Sequence, residues 1–189
     1  MSGHAIPLLV NRARPLAAPI DPEALVEVDE EHPHILLQQQ AQRQLGCLLE
    51  HIGAGGQIVP VSGWRSHEEQ VRLYADSLRE HGRAFTETYV AYPGCSEHET
   101  GLAIDLGENR PDLDFIRPSF PDEGICRQFS RYAPDFGFIL RYPAHKQAVT
   151  GIGWEPWHFR YVGVEHARAM TEADLALEEY VALLEGAAS

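Results

Sequence analysis

The segment GCSEHETGLAIDLG, residues 94–107, decides how this chain has to fold, because two polar residues in it can meet only if the backbone turns back. His98 and Asp105 lie on either side of Gly101, a residue that tolerates the left-handed conformation of tight turns. The residues after this glycine, LAIDL, predict a buried strand that carries Asp105 between apolar neighbours. Burial of a lone carboxylate is costly, so we expect Asp105 to coordinate a metal ion together with His98. An ion pair with Arg65 is the alternative explanation.

A second segment, GWEPWHFRYVG at residues 153–163, supplies the other half of the candidate site. Two imidazoles and one carboxylate can hold a zinc ion and leave one coordination position open, so His158 is the predicted third ligand. Glu155 precedes His158 by three residues and is the candidate proton acceptor. Side chains alternate in a regular strand, and these two would then point to opposite faces. The spacing therefore predicts an irregular backbone at Pro156, with Glu155 just outside the strand. An aromatic core strand with a hydrogen-bonded histidine is the competing interpretation.

The composition is that of a single globular domain spanning residues 1–189, with 44% apolar and 23% charged residues. A formal net charge of −13 argues against a nucleic acid or an anionic membrane surface as a partner. The three cysteines include no CxxC pair, which favours neither a disulfide framework nor a cysteine-rich zinc site. The sequence contains no apolar run long enough for a signal-peptide core or a membrane span, so we expect a cytoplasmic protein.

The first half of the chain predicts an extended arm and then helices and strands in alternation. Four prolines favour an extended arm over residues 1–30. Apolar residues at helical spacing predict a helix over residues 35–52. Ser66 and Glu69 have the spacing of a capping box at the start of a second helix, which Gly82 ends. Val71, Tyr74 and Leu78 are predicted to form the buried side of this helix. The next strand is predicted over residues 85–92.

Strand segments near the candidate ligands are too close together for parallel crossover connections. We therefore predict an α+β fold in which a central antiparallel sheet carries the zinc site and helices flank the sheet. Residues 164–189 predict a C-terminal helical segment, in which Thr171 and Asp174 cap the last helix. The predicted apolar side of that helix consists of Leu177, Val181 and Leu184.

Together, the two segments resemble a known enzyme family. The zinc D-alanyl-D-alanine peptidases of vancomycin resistance, the VanX, VanY and VanXY group, share the pattern S-x-H-x-x-G-x-A-x-D followed by E-x-W-H. SEHETGLAID and EPWH match this pattern without a gap. GFILRYP and EPWHFRYVG are similar to the carboxypeptidase and bifunctional VanXY members in particular. The likeness spans residues 59–163, which is more than half of the chain.

The resemblance implies a role for each matching position. His98, Asp105 and His158 would bind zinc, and Glu155 would be the catalytic base. Arg65 matches the arginine that stabilises the oxyanion of the tetrahedral intermediate. Ser96 and Gln70 match positions that bind the terminal carboxylate of the substrate. Trp157 would form the pocket wall or belong to the core.

The resemblance implies a cytoplasmic zinc D,D-peptidase acting on small peptides that end in D-Ala-D-Ala. Such an enzyme would cleave the dipeptide, the terminal D-Ala of a cell-wall pentapeptide precursor, or both, and would so deplete the target of glycopeptide antibiotics. An L,D- or endopeptidase acting on assembled peptidoglycan is the second expectation, although no wall-binding module is visible. A zinc-holding binding protein without catalysis is the third, and the presence of Glu155 argues against it.

Overall fold

An antiparallel sheet of four strands forms the centre of the computed structural model, which describes residues 7–114 and 116–187. The strands of this part of the chain are β1 Leu25–Glu27, β2 Leu36–Gln38, β3 Ile58–Ser62, β4 Ala103–Glu108, β5 Phe138–Tyr142 and β6 Glu155–Tyr161. The helices are α1 Gln39–His51, α2 His67–Tyr89, α3 Gly124–Tyr132, α4 Gln147–Thr150, α5 Val164–Glu172 and α6 Leu177–Ala187. The central sheet has the order β3-β4-β6-β5, while β1 and β2 form a separate antiparallel pair.

Helices cover both faces of the sheet, and β5 shows how the sequence achieves this. Phe138 and Leu140 pack in the larger apolar cluster, which includes residues of α1 and α3. Ile139 lies between them in sequence and packs in a second cluster with α5 and α6. Alternate side chains of one strand thus support opposite layers, as the pleat of a strand requires. The predicted α+β fold with a central antiparallel sheet and flanking helices is confirmed.

Helix α1 anchors the larger core. Its apolar stripe, formed by Ala41, Leu45 and Leu48, is at most 2% exposed and packs against residues of β4 and β6. Full burial of one such leucine contributes about 1.5–3 kcal/mol. The predicted stripe is confirmed for these three residues, but Leu37, its expected first member, lies on β2. The helix begins at Gln39 rather than at Ile35, because β2 precedes it and pairs with β1.

Helix α2 begins as predicted but buries a different face. The capping box is present, since Ser66 accepts a hydrogen bond from the backbone N–H of Glu69 and the Glu69 side chain accepts one in return. Val71 and Leu78 were expected to be buried but are 44% and 37% exposed, and Tyr74 is half-buried. The helix lies beside the candidate site, where polar side chains find hydrogen-bond partners, so the residues it buries are Gln70, Ser77 and Thr86.

The strand predicted over residues 85–92 is wrong, because α2 continues to Tyr89. Gly82 has a φ of 79° and a ψ of 171°, so the helix breaks there, changes direction and resumes. Aromatic and β-branched residues in this stretch favour a strand by propensity, but local hydrogen bonds outweigh that preference. Thr86 Oγ1 donates to the carbonyl of Gly82 and accepts from the Ser77 hydroxyl.

The C-terminal segment is helical as predicted, but its turn lies elsewhere. Thr171 belongs to α5, and Asp174 lies in the turn before α6 with a φ of 49°, so the predicted cap is wrong. The helix ends there because the N–H groups of Ala173 and Asp174 bond back to carbonyls of α5. Leu177 and Val181 are at most 1% exposed, as expected. Residues 1–6 of the predicted arm lie outside the described residues. Among residues 7–114 and 116–187, no helix is long and apolar enough to cross a bilayer.

Candidate metal centre

Two strands and one turn bring three potential metal ligands together. Asp105 on β4 and His158 on β6 are direct partners across the sheet. His98 lies in a short 3-10 turn, Glu97–Thr100, which ends at Gly101 with a φ of 67° and leads into β4. One nitrogen of each histidine and one carboxylate oxygen of Asp105 lie within 4.8 Å of one another. The turn expected at Gly101 is therefore confirmed, and it joins the two halves of the first motif.

Hydrogen bonding determines which nitrogen of His98 faces this cluster. His98 Nδ1 lies 2.7 Å from the carbonyl oxygen of Gly63, which can only accept, so Nδ1 carries the proton. Nε2 then presents a lone pair 3.2 Å from Asp105 Oδ2. On the other side, His158 Nδ1 lies 2.8 Å from Asp105 Oδ1. The lone pairs of His98 Nε2 and Asp105 Oδ2 repel each other unless they share a cation, and two nitrogens with one carboxylate fit zinc.

The pKa values of the two histidines differ because their surroundings differ. Burial lowers the pKa of His98, and the nearby Asp105 offsets this only in part. Burial also acts to lower the pKa of His158, but hydrogen bonding to Asp105 and Glu97 outweighs it and raises the pKa to about 9. His158 thus sits between two carboxylates in a position that strongly attracts positive charge.

An irregularity in β6 brings Glu155 to the same side as His158. Leu140 and Tyr142 of β5 pair with Phe159 and Glu155 of β6, so two steps along one strand match four along the other. The extra residues bulge and change the alternation of side chains. As a result, Glu155 Oε2 lies 3.9 Å from His158 Nδ1. The irregular backbone is confirmed, but the expectation that Glu155 lies outside the strand is wrong, because β6 begins with it.

Glu155 is a buried carboxyl group whose pKa lies above its ordinary value. Burial raises its pKa to about 8, even though the nearby His158 acts in the opposite direction. A pKa near neutrality suits a group that has to take up a proton and release it again within one reaction.

Arg65 is held in place by neutral partners. Its two terminal nitrogens each donate a hydrogen bond of 2.8 Å, one to Gln70 Oε1 and the other to Ser62 Oγ. Gln70 is itself fixed, because its amide nitrogen donates to the carbonyl of Ala91. Burial lowers the pKa of Arg65, while the charge of Asp105 partly restores it. The close contacts of Asp105 are with the two histidines, which favours metal coordination over an ion pair with Arg65.

All eight residues singled out in the sequence line one cavity of about 120 Å³. Ser96 is 2% exposed and precedes the turn that carries His98, but its side chain does not cap that turn. Gln70 reaches the cavity from α2, beside Arg65. Trp157 is 7% exposed and belongs both to the cavity wall and to the larger apolar cluster, so its two expected roles are compatible.

Sequence reasoning missed Glu97 and Tyr142, which line the same cavity. Glu97 Oε2 lies 3.5 Å from His158 Nε2, and the ring of Tyr142 lies 4.9 Å from the His158 ring. A signal for Glu97 exists in the sequence, because its partners Arg141 and Arg160 are charged residues within apolar strand segments. The same pattern, a charged residue between apolar neighbours in a strand, singles out Asp105 on β4.

Comparison with known proteins adds the family to this geometry. The model of the VanY family, D-alanyl-D-alanine carboxypeptidase, matches residues 34–164. Over 173 residues, the chain is 43% identical to VanXYC of Enterococcus gallinarum, a bifunctional D-Ala-D-Ala dipeptidase and D-Ala-D-Ala carboxypeptidase. That alignment covers 91% of each of the two chains.

Two solved structures have the same fold. The vancomycin resistance D,D-dipeptidase VanXYg, in complex with a D-Ala-D-Ala phosphinate analogue, superposes with a TM-score of 0.91 at 51% identity, covering 93% of this chain and 70% of that one. The D,D-pentapeptidase VanY from a VanB-type resistance cassette, in complex with Zn(II), superposes with a TM-score of 0.75 at 31% identity, covering 92% and 97%. With its site geometry and a family match over more than half of its length, this chain belongs to the VanY family of D-alanyl-D-alanine carboxypeptidases.

Proposed function

We propose that this protein is a zinc-dependent D,D-peptidase that hydrolyses D-Ala-D-Ala, the C-terminal D-Ala of peptidoglycan pentapeptide precursors, or both. The observation that carries the proposal is the cluster of His98, Asp105 and His158, with Glu155 Oε2 3.9 Å from His158 Nδ1. Similarity to the bifunctional VanXYC supports both substrates. The fit of the donor set to zinc, and the Zn(II) in the related VanY structure, support the metal.

The proposed chemistry divides the work between the ligands and the base. His98 Nε2, a carboxylate oxygen of Asp105 and His158 Nδ1 would hold the zinc, since these atoms face one another. Zinc in such a site lowers the pKa of water to about 7 and polarises a carbonyl group. Glu155 takes the proton from the attacking water on a carboxylate oxygen and passes it to the leaving amine.

Arg65 and the other residues of the cavity serve the substrate. The guanidinium of Arg65 stabilises the negative charge that develops on the carbonyl oxygen, and loss of one such donor typically costs about 3–4 kcal/mol. Gln70 helps to bind the terminal carboxylate, and its hydrogen bond to Arg65 also orients that side chain. Ser96 binds the same carboxylate, and Trp157 forms the wall.

The proposed setting is the cytoplasm, with the whole chain acting as one domain on small peptides that end in D-Ala-D-Ala. Cys47, Cys95 and Cys126 are free thiols, which agrees with a reducing compartment. Removal of D-Ala-D-Ala termini would deplete the precursors that glycopeptides bind, so the activity confers vancomycin resistance.

Replacement of the base tests this proposal. Glu155→Ala should retain zinc, because it leaves the three ligands in place, but lose at least about 100-fold in kcat, the usual contribution of a general acid–base group. Zinc content is measured by elemental analysis, and D-alanine release is measured on the dipeptide and on a pentapeptide ending in D-Ala-D-Ala. Glu172→Ala changes an exposed glutamate of α5 and serves as the matched control.

Each alternative function gives a different result. Undiminished D-alanine release by Glu155→Ala would rule out the proposed base. Wild-type protein that releases peptides from assembled peptidoglycan but no D-alanine from the two substrates would be a lysin. Wild-type protein that binds zinc without any hydrolysis would be a binding protein.

A further inference from the structure

Glu97 lies on the side of His158 that faces away from the other two ligands. Its side chain is fully buried, and Oε2 lies 3.5 Å from His158 Nε2. The other imidazole nitrogen, Nδ1, faces Asp105. We propose that Glu97 is a positioning residue of the metal centre, which holds His158 so that Nδ1 presents its lone pair to the metal. This inference rests on the metal-binding part of the proposed function.

The carboxylate of Glu97 is fixed by two buried arginines. Arg141 Nε donates to Glu97 Oε1 over 2.8 Å, and Arg160 Nη1 lies 3.0 Å from the same oxygen. The Arg160 contact is an ion pair without hydrogen-bond geometry. Both guanidinium groups are at most 1% exposed. Because both arginines contact Oε1, Oε2 remains directed at His158.

Both ring nitrogens of His158 face carboxylates, Nδ1 at 2.8 Å from Asp105 and Nε2 at 3.5 Å from Glu97. A carboxylate only accepts hydrogen bonds, so when a metal takes the place of the proton at Nδ1, Glu97 still accepts the proton that remains on Nε2. His98 uses the opposite nitrogens, because the carbonyl of Gly63 holds the proton on its Nδ1. Partners that orient a ligating histidine in this way typically contribute about 10–100-fold to metal affinity.

Glu97 also belongs to a larger cluster of buried charges. Arg141 makes two further hydrogen bonds, of 2.9 Å and 2.6 Å, to the carboxylate of Glu178 on α6. A purely structural role for Glu97 would resemble that of Glu178, since both neutralise Arg141, although Glu97 also contacts Arg160. A positioning role would make the two glutamates different, because Glu97 contacts the proposed metal ligand His158 and Glu178 does not.

The comparison of Glu97→Gln with Glu178→Gln therefore tests the inference. Each variant removes one negative charge beside Arg141 and keeps the size of the side chain. We expect both to destabilise the metal-free protein, but only Glu97→Gln to raise the zinc dissociation constant, by about 10–100-fold. Competition with a chromophoric chelator measures this constant without reference to activity. Equal zinc dissociation constants for the two variants would overturn the inference.

A measurement on the wild type covers the case in which Glu97→Gln does not fold. The nitrogen chemical shifts of the His158 ring in the zinc-loaded protein should show the proton on Nε2 and none on Nδ1. The opposite tautomer would refute the inference. Neither the zinc dissociation constant nor the nitrogen shifts depend on peptide hydrolysis. A failure of the proposed D,D-peptidase activity can therefore be told apart from a failure of this inference.

Discussion

Gly101 is the residue on which the geometry of the first motif depends. Its φ of 67° lies in the left-handed region, and a Cβ there would come within 2.7 Å of Leu25 Cδ2 and 3.3 Å of Gln38 Cγ. Both neighbours belong to the small β1–β2 sheet. The glycine thus allows the turn that carries His98 to pack directly against that sheet.

We predict that Gly101→Ala lowers the free energy of unfolding by about 2–3 kcal/mol, which combines left-handed strain with the displacement of the Leu25 side chain. Gly53→Ala is the matched control, because Gly53 has a similar φ of 62° but nothing within 4 Å of its Cβ position. The control should lose only about 1–2 kcal/mol, the strain alone. Urea unfolding of both variants measures the difference, and equal losses would show that the contact with Leu25 is unimportant.

At the scale of elements, the kinked helix α2 depends on a buried pair of hydroxyl groups. Ser77 is 7% exposed and Thr86 is not exposed, and their oxygens lie 2.8 Å apart across the break at Gly82. Thr86 also donates to the Gly82 carbonyl over 3.0 Å. One threonine therefore stabilises the break and connects the two halves of the helix.

Thr86→Val should cost about 1–3 kcal/mol, because it keeps the shape of the side chain but leaves the Ser77 hydroxyl without this buried partner. Thr88→Val removes a hydrogen bond of the same type, to the carbonyl of Ala84, at a more exposed position. We expect that control to change stability by less than about 0.5 kcal/mol. Thermal or urea unfolding distinguishes the two, and a neutral Thr86→Val would contradict the proposed connection.

The sequence predicts elements well where apolar periodicity decides them, and poorly where polar contacts do. The stripe of α1 and the strand around Asp105 follow from spacing alone. The burial of Gln70 and the exposure of Val71 do not follow from spacing. They depend on hydrogen bonds of Gln70 with Arg65 and Ala91, which tertiary structure brings next to α2. The ligands and the base were accessible as motifs, whereas Glu97 owes its importance to arginines distant in sequence.

At the scale of the whole molecule, buried charges connect the two ends of the chain with the metal centre. Arg160 Nη2 donates to the carbonyl of Leu8, and Glu178 on α6 accepts from Arg141 and from Asn11. At the surface, Arg14 forms a two-fold hydrogen-bonded pair with Glu185. Only the buried contacts are expected to matter for stability, since exposed ion pairs contribute little.

The buried cluster makes the metal-free protein sensitive to acid. Burial acts to raise the pKa of Glu97, but Arg141 and Arg160 outweigh it and hold the pKa well below its ordinary value of 4.5. The folded state therefore keeps this carboxylate charged at a pH at which the unfolded chain binds a proton. The stabilisation is complete above pH 4.5 and is lost progressively as the pH falls below that value.

We predict that the free energy of unfolding of the chelator-treated wild type falls more steeply between about pH 5 and pH 3 than that of Glu97→Gln. Glu172→Gln, at an exposed position of α5, should follow the wild type. Urea unfolding at several pH values, followed by circular dichroism, gives the slopes. Parallel slopes for wild type and Glu97→Gln would show that this carboxyl group titrates alike in both states.

The cluster around Glu97 also sets an order of events during synthesis. A ribosome makes His98 and Asp105 first and His158 more than fifty residues later, and Glu178 follows twenty residues after that. Until Glu178 emerges, Arg141 lacks one of the two carboxylates that surround it in the finished protein. The nascent chain therefore holds all three ligands before their support is complete. The metal should already bind at that stage, because Glu97 precedes His158 in the chain and Glu178 contacts Arg141 rather than a ligand. Docking of α6 should then add stability rather than metal affinity.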